Sequence, residues 1–436
     1  YSFDYKIQVL IVLFDCKVSH EKKKLDNVVD VLIVGGGPAG LMAADKLSIY
    51  ECKIHLIDRM PTIGRKFLMA GKSGLNITTA KNNFLEDYGE SSDWISPMIK
   101  NFGPTQIIKF CETLGQETFV GSSARVFPKS MKTSPLLRSW LKRLKDSGVQ
   151  IQTSARWINF DSDTIKLPKN NELVNIVNAN DRLQLIGARA VIFAFGGASW
   201  SNLGSDGKWS SVLKQHLINP ETSIVPFTAA NMGVRILWSK QMIRFEGQPV
   251  KAVALKVNGL SRKGEFTMTK TGLEGGIIYL LSTWQEAPEK IFEVDLLPDL
   301  SISNICLRLN KPRGRSTISN FLRKTLGLKG VKFGLLREFG YPFPETNVEL
   351  ARTIKNLKVK ILDFYPLDFA ISTKGGISKH AVTAELMLKD IPGVFCAGEM
   401  LDWTAPTGGS LLTGCLSTGL KSGKSVADYL DLKLVN

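Results

Sequence analysis

Hydrophobic residues recur in short runs along the chain, and glycine or polar residues end each run. Residues 28–34, 53–57 and 189–195 form such runs, rich in Val and Ile, and each predicts a buried strand. Apolar positions return at helical spacing between them, for example in residues 104–114 and 134–144. Strands that alternate with helices in this way predict a mostly parallel sheet with both faces covered.

The middle of the chain has a different pattern. Residues 251–257 and 265–269 alternate apolar and polar positions, as half-exposed strands do, and later segments have helical spacing. These helical segments are residues 301–309, 316–326 and 345–357. The buried-strand pattern then returns before residue 376. We therefore predict an inserted domain over residues 205–358, which divides a larger domain into residues 28–204 and 359–436.

The first predicted strand runs directly into Gly35-Gly36-Gly37-Pro38-Ala39-Gly40, which has the spacing G-x-G-x-x-G. The first motif glycine turns the chain, the second lets the backbone approach a pyrophosphate, and the third lets a helix pack closely. Pro38 suits the first helical turn, whose free N–H groups bind anions. Asp58 ends the second strand eighteen residues after Gly40, where a carboxylate binds the ribose hydroxyls of an adenosine. Together these features predict a dinucleotide site.

Composition and charge narrow the class of protein. The chain has 436 residues, 44% hydrophobic and 22% charged, which is typical of a globular protein with more than one domain. Six cysteines contain no C-x-x-C pair and four histidines have no metal-ligand spacing. We therefore predict no disulfide framework, no metal site and a cytoplasmic location.

The formal net charge of +16 raises a nucleic acid or an anionic membrane as a partner. The lysines are dispersed, and no basic block exceeds residues 22–24. The charge therefore favours a cofactor diphosphate, and we expect neither nucleic acid nor membrane as partner. The sequence leaves the oligomeric state open.

Residues 1–27 fit poorly with the pattern that follows. Their apolar run, residues 6–14, is too short to span a bilayer, and no small-residue cleavage site follows it. We expect a poorly ordered leader and leave open whether it belongs to the mature protein.

These features together resemble the FAD flavoproteins with two dinucleotide-binding domains, and most of all the BaiN-like flavoproteins, also labelled aminoacetone-oxidase-like. The resemblance covers about residues 28–430, and its motifs are residues 64–71, 125–129, 196–200, 204–207 and 398–409. It implies an α/β fold with a Rossmann-like FAD-binding domain split in sequence and an inserted β-barrel-plus-helical domain. Two positions depart from the family pattern: Lys72 replaces a frequent arginine, and Phe195 replaces a small or hydroxylated residue.

The resemblance also implies which residues contact FAD. The glycine turn would hold the diphosphate with Arg65 and Lys66 beside it, and Glu399 would bind the ribityl chain. The loop at 407–412 would meet the flavin pyrimidine with N–H groups, and residues 73–76 would approach the isoalloxazine. The expected cofactor-binding residues are Gly35, Gly36, Gly37, Pro38, Ala39, Gly40, Asp58, Arg59, Arg65, Lys66, Ser73, Gly74, Asn76, Gly196, Gly197, Gly398, Glu399, Thr407, Gly408, Gly409, Ser410, Leu411 and Leu412.

The function implied by the resemblance is an FAD-dependent oxidoreductase that acts on a small organic substrate. The flavin would supply the redox chemistry, and Cys396 and Cys415 are interpreted as buried hydrophobes and His55 as structural. Because G-x-G-x-x-G occurs once, we expect no second Rossmann domain for NAD(P)H. The resemblance, which includes reductases of conjugated double bonds, implies that NAD(P)H docks transiently over the flavin as electron donor; the other route is reduction of the flavin by the substrate itself. Three alternatives stay open: an oxygen-using oxidase of a small amine, a flavoprotein acting on tRNA, and a flavin-binding structural or sensory protein. The sequence identifies no catalytic acid or base.

Overall fold

The computed structural model describes residues 27–435 except 73, 122–123, 161–171, 178–181, 258 and 285–289. The leader predicted over residues 1–27 lies outside the described residues, apart from Asn27. In chain order the strands are β1 (Asn27–Val34), β2 (Ile54–Ile57), β3 (Thr78–Thr79), β4 (Thr118–Val120), β5 (Arg125–Pro128), β6 (Gln150–Gln152), β7 (Arg156–Phe160), β8 (Glu172–Val177), β9 (Leu183–Phe193), β10 (Ile224–Ala229), β11 (Val234–Arg235), β12 (Pro249–Val257), β13 (Leu260–Thr269), β14 (Gly272–Glu274), β15 (Ile291–Asp295), β16 (Leu357–Lys360), β17 (Asp363–Phe364), β18 (Thr373–Ile377) and β19 (Val394–Cys396).

The helices alternate with these strands in the first part of the chain and cluster in the insert. In chain order the α-helices are α1 (Pro38–Leu47), α2 (Arg65–Ala70), α3 (Ser92–Asn101), α4 (Pro104–Thr113), α5 (Thr133–Asp146), α6 (Trp209–Leu213), α7 (Pro220–Ser223), α8 (Lys240–Ile243), α9 (Ile302–Leu309), α10 (Ile318–Leu326), α11 (Gly330–Gly340), α12 (Asn347–Lys355) and α13 (Ser410–Tyr429). Short 3-10 helices span Phe84–Ser91, Ser201–Leu203, Lys214–His216, Gly276–Trp284, Leu367–Phe369, Lys379–Ala381 and Gly398–Met400. Within the described residues, no helix has both the length and the apolar character needed to cross a membrane.

A parallel sheet runs in the order β6-β2-β1-β9, and β19 pairs with the end of β9. Residues Val31 to Val34 of β1 are all buried, as expected for a central strand covered on both faces. Val34 pairs with Ile57 of β2 and with Phe193 of β9, so these strands end at the same edge. The loops that follow them therefore lie side by side, where open α/β sheets bind ligands.

Helix α13 packs against α1 through small residues. A Cβ atom at Gly419 would lie 2.2 Å from the Ala39 carbonyl oxygen, and one at Gly423 would lie 2.8 Å from the Ala43 carbonyl oxygen. The two helix backbones can approach this closely because glycine has no side chain. The late helix thereby joins the first strand–turn–helix unit, although nearly 400 residues separate them.

The insert contains a curled antiparallel sheet in the order β16-β15-β12-β13-β14-β11-β17, with the helices α9 to α12 beside it. The predicted fold class, a split Rossmann-like domain with an inserted domain of β structure and helices, is confirmed. Helix α11 was not predicted from the sequence. The separate apolar core of the insert extends from Val234 to Ile361, whereas Trp209 and Leu217 pack in the core of the parallel sheet. The domain limits at residues 205 and 358 stay a prediction.

Candidate functional site

A cavity of about 470 Å³ lies at the edge of the parallel sheet where β1, β2, β9 and β19 end. It is bounded by the N-terminal turns of α1 and α13, by α2, and by β7 and α6. The predicted cofactor-binding residues that line it are Gly35, Gly37, Pro38, Ala39, Asp58, Arg59, Arg65, Lys66, Gly196, Gly398, Glu399, Leu411 and Leu412. The structure thus brings together residues from both ends of the chain.

The three motif glycines have different surroundings. A Cβ atom at Gly35 would lie 2.2 Å from the Ala194 carbonyl oxygen, and one at Gly40 would lie 1.9 Å from the Gly35 carbonyl oxygen. A Cβ atom at Gly37 would meet nothing within 4 Å among the described residues, and it would extend into open space beside the cavity. Gly35 and Gly40 are therefore required by the packing of the protein. Gly37 is required only if a ligand occupies that space.

Asp58 is bonded to the glycine turn. Its Oδ2 accepts a hydrogen bond of 2.7 Å from the Gly36 N–H, and its Oδ1 accepts one of 2.7 Å from the Met60 N–H. Burial raises the pKa of this carboxyl above its usual value, although the two N–H groups and the charge of Arg59 act in the opposite direction. Each carboxylate oxygen has a second lone pair, so Asp58 can accept further hydrogen bonds from a ligand in the cavity.

Lys66 in the cavity wall forms an ion pair with Glu399. Lys66 Nζ lies 2.8 Å from Glu399 Oε2 and donates to Ser199 Oγ at 3.0 Å, while Glu399 Oε1 accepts from the Thr373 N–H at 3.0 Å. The resemblance gave Lys66 and Glu399 separate roles, whereas the structure pairs them across 333 residues of sequence. Arg65 also lines the cavity, and its Nε is buried without a hydrogen-bond partner in the part of the chain that the structure describes.

Arg59 lies in another part of the cavity lining, next to Asp206. Its Nη1 lies 2.5 Å from Asp206 Oδ2, and its Nη2 donates to the Ser201 carbonyl oxygen at 3.1 Å. Neighbouring Ser205 lines the cavity with a buried Oγ that has no partner among the described residues. Unpaired polar atoms at a cavity wall are available to a polar ligand.

An aromatic wall, formed by Trp157, Phe195 and Trp209, was missed from the sequence. The rings of Phe195 and Trp209 are stacked with centroids 5.8 Å apart, and Trp157 lies 5.3 Å from Phe195. All three line the cavity, and the Trp209 indole N–H is held by the Gly196 carbonyl oxygen at 3.0 Å. From the sequence, Phe195 stands out only as a departure from the family pattern. The wall suits a planar, apolar group.

The loop at residues 407–412 leads into the N-terminus of α13. Gly409 adopts a φ of +102°, and a Cβ atom there would lie 2.4 Å from the backbone of Thr78. Ser410 Oγ donates to Asp87 Oδ2 at 2.6 Å. Leu411 and Leu412 reach the cavity, whereas Thr407, Gly408, Gly409 and Ser410 are outside its lining.

Gly74, Asn76 and Gly197 are not among the residues that line the cavity. Gly197 packs against Thr373 and Glu399, and Gly74 lies beside Met131. Asn76 has a buried Oδ1 with no partner within the described ranges. Ser73 lies outside the described residues.

The thiol of Cys415 lines the cavity, but burial raises its pKa to about 12, so it stays protonated and is a poor nucleophile at neutral pH. His55 is buried in β2, where burial lowers its pKa, and it is not among the residues that line the cavity. The site therefore combines helix N-termini, cations, one carboxylate bonded to the glycine turn and an aromatic wall. Such a set can hold a diphosphate and a planar ring.

Comparison with known proteins identifies the family. The model of the HI0933-like protein Rossmann domain matches residues 29–425. The chain belongs to this family. The resemblance stated from the motifs is thereby confirmed. The chain is 24% identical to the 3-dehydro-bile acid delta(4,6)-reductase of Clostridium scindens over 91% of this chain and 98% of that protein. It is 21% identical to the ribosomal RNA dihydrouridine synthase of Haemophilus influenzae over 87% of this chain and 93% of that protein.

A solved structure shows the same fold. The Mycobacterium smegmatis Sdh1 complex in the apo form is similar with a TM-score of 0.50 at 13% identity, covering 94% of this chain and 71% of that chain. At this level the similarity is one of fold alone.

Proposed function

We propose that the protein is an FAD-dependent oxidoreductase that uses NAD(P)H to reduce a carbon–carbon double bond in an organic substrate. The observation that carries the proposal is the open space at Gly37, which lines the cavity at the N-terminus of α1, where no side chain caps the helix. The fold leaves this position free of side chains, and a diphosphate needs that space to reach the helix N–H groups.

The residues present fit FAD. The α1 N-terminus and Gly37 would hold the diphosphate, and Asp58 would accept hydrogen bonds from the adenosine ribose. The unpaired buried atoms Arg65 Nε and Ser205 Oγ belong to residues that line the cavity and are available to the polar edges of the cofactor. The aromatic wall would exclude water from one face of the cavity. Bound FAD would supply hydride transfer, which no side chain provides.

The reaction class is inferred from the names of the relatives. The names "3-dehydro-bile acid delta(4,6)-reductase" and "ribosomal RNA dihydrouridine synthase" both denote hydrogen addition to a carbon–carbon double bond. In such a reaction one hydride and one proton are added across the double bond, and one NAD(P)H is oxidised. The two relatives share the chemistry and differ in the size of the substrate.

The first test is the cofactor itself. The purified protein should be yellow, and denaturation should release free FAD, because no motif for covalent attachment is present in the sequence. A colourless protein that takes up no added FAD contradicts the proposal. Flavin that stays with the denatured chain contradicts non-covalent binding.

The second test is anaerobic stopped-flow measurement of flavin absorbance after mixing with NADH or NADPH, with free FAD as the control. We expect bleaching that is much faster than that of free FAD. The reduced protein is then mixed separately with a 3-oxo-4-ene steroid, a uridine-containing RNA and oxygen. Reoxidation by either of the first two supports the reductase. Reduction by an amine but not by NAD(P)H, with reoxidation by oxygen alone, replaces it with the oxidase alternative.

A further inference from the structure

The positive charge of the chain is concentrated in the insert. Residues 231–365 contain 22 Lys and Arg against 12 Asp and Glu, so this third of the chain carries +10 of the net +16. The excess of basic over acidic residues is greatest in residues 300–337, which contain nine basic residues and no acidic one. The lysines alone are dispersed, and the concentration of charge becomes visible only when arginines and the absence of acidic residues are counted with them.

The structure places these cations on the outside of the insert. They lie at the end of α9, in the loop before α10, on α10 and around α11. The exposed members, which we call the basic surface, are Arg308, Lys311, Arg313, Arg315, Arg323, Lys324, Lys329 and Arg337. Helices α9 and α10 begin at capped residues: Ser301 accepts from the Asn304 N–H and Thr317 from the Asn320 N–H. The charges are therefore presented by ordered elements.

The carboxylates nearest in sequence are already engaged. Asp299 lies 2.7 Å from Lys263 Nζ, and Glu338 accepts from the Ser239 N–H at 2.7 Å and from its hydroxyl at 2.6 Å. No ion pair to a cation of the basic surface is present within the described ranges. Exposed like charges without counter-charges create a positive potential, so the surface favours a polyanion.

Helix α10 of this surface buries its apolar side, whereas Ile302 and Leu307 of α9 are exposed. Phe321, Leu322 and Leu326 of α10 pack in the core of the insert, and the exposed positions of α10 include Ser319, Asn320, Arg323 and Lys324. A helix that binds a membrane surface turns its apolar face to the lipid. Arginine, lysine, serine and asparagine are the side chains that contact phosphates and sugars in nucleic acids. The composition of α10, the helix with its apolar side buried, therefore favours a phosphodiester backbone over a bilayer.

We propose that the basic surface of the insert docks the phosphodiester backbone of a nucleic acid. The inference is independent of the proposed reaction, because it rests on charge and exposure outside the cavity. It reverses the expectation of no nucleic-acid partner.

The test compares two double variants, R313E/R315E and R323E/K324E, with wild type and with the control R138E/K145E. The control changes the charge equally at two exposed residues of α5, outside the insert. Binding is measured by fluorescence anisotropy of a labelled RNA stem–loop and of a DNA hairpin of equivalent sequence, over a series of salt concentrations. We expect each surface variant to bind more than about tenfold more weakly than the control. We also expect the slope of log K against log salt to fall by about 1 for each lost phosphate contact.

Binding of RNA, DNA or both with this pattern supports the proposal. It is overturned if wild type binds neither probe, if the surface variants bind as tightly as the control, or if wild type binds only vesicles containing phosphatidylserine. Flavin content and the rate of flavin bleaching by NAD(P)H are measured on every variant. These values should match wild type, so that a failure of docking is distinguished from a failure of the proposed reaction or of folding.

Discussion

Substitution of Gly37 by valine should separate cofactor binding from folding. Gly37 has φ −79° and ψ −180°, a conformation open to valine, and a Cβ atom there meets nothing within 4 Å among the described residues. The lower entropy of the unfolded chain contributes about 0.4–1 kcal/mol of stability, which offsets a loss of similar size from removing glycine at a helix N-cap. The free energy of unfolding of the G37V apo-protein should therefore stay within about 1 kcal/mol of wild type.

FAD binding should be lost in the same variant. The isopropyl group would occupy the space between the diphosphate and the N–H groups of α1. Hydrogen bonds to a charged group contribute about 1.5–3 kcal/mol each, so losing two of them costs about 3–6 kcal/mol. The dissociation constant should then rise by about 10² to 10⁴-fold.

The control is the neighbouring motif glycine. In G40A the new methyl carbon would lie 1.9 Å from the Gly35 carbonyl oxygen, an overlap that requires backbone movement. The apo-protein should lose about 1–3 kcal/mol or more of stability. Urea unfolding of the apo-proteins and titration with FAD by flavin fluorescence measure the two quantities. The reasoning is refuted if G37V binds FAD as tightly as wild type, or if its apo-protein is as unstable as that of G40A.

Three further predictions concern the site and the insert. K66M should destabilise the apo-protein by about 1–3 kcal/mol in urea unfolding because it leaves Glu399 with one partner fewer. The double variant K66M/E399Q should lose less free energy of unfolding than the sum of the two single variants. Additive losses would show that the two side chains are not energetically coupled. Because burial raises the pKa of Asp58 above the unfolded value of 3.8, protonation of this carboxyl favours the folded state. Its contribution to the free energy of unfolding is fully present below pH 3.8 and is lost as the pH rises through the folded pKa. A carboxyl NMR titration of the apo-protein, assigned with D58N, should give a midpoint above 3.8, and a lower midpoint would contradict the burial argument. Limited proteolysis should first cut near residues 230 and 365, the limits of the insert core, and cleavage within the parallel-sheet core before these junctions would contradict an insert with its own core.

The sequence by itself determined the local units. The β1 strand, the turn from Gly35 to Gly40 and helix α1 could be predicted because their chemistry lies within about 20 consecutive residues. Apolar spacing marks the strand and the helix, and the packing at Gly35 and Gly40 tolerates no Cβ atom. The same local reasoning found the α9, α10 and α12 helices and the insert between two halves of one domain.

Only the tertiary structure decided which distant residues share the site. Lys66 and Glu399 are 333 residues apart, and Trp157, Phe195 and Trp209 come from separate elements of the chain. Their contacts follow from the order of strands in the sheet and from the close packing of α13 on α1, which no local pattern encodes. Local periodicity records which side of an element is buried, whereas the identity of its neighbour depends on the free energy of packing the whole chain.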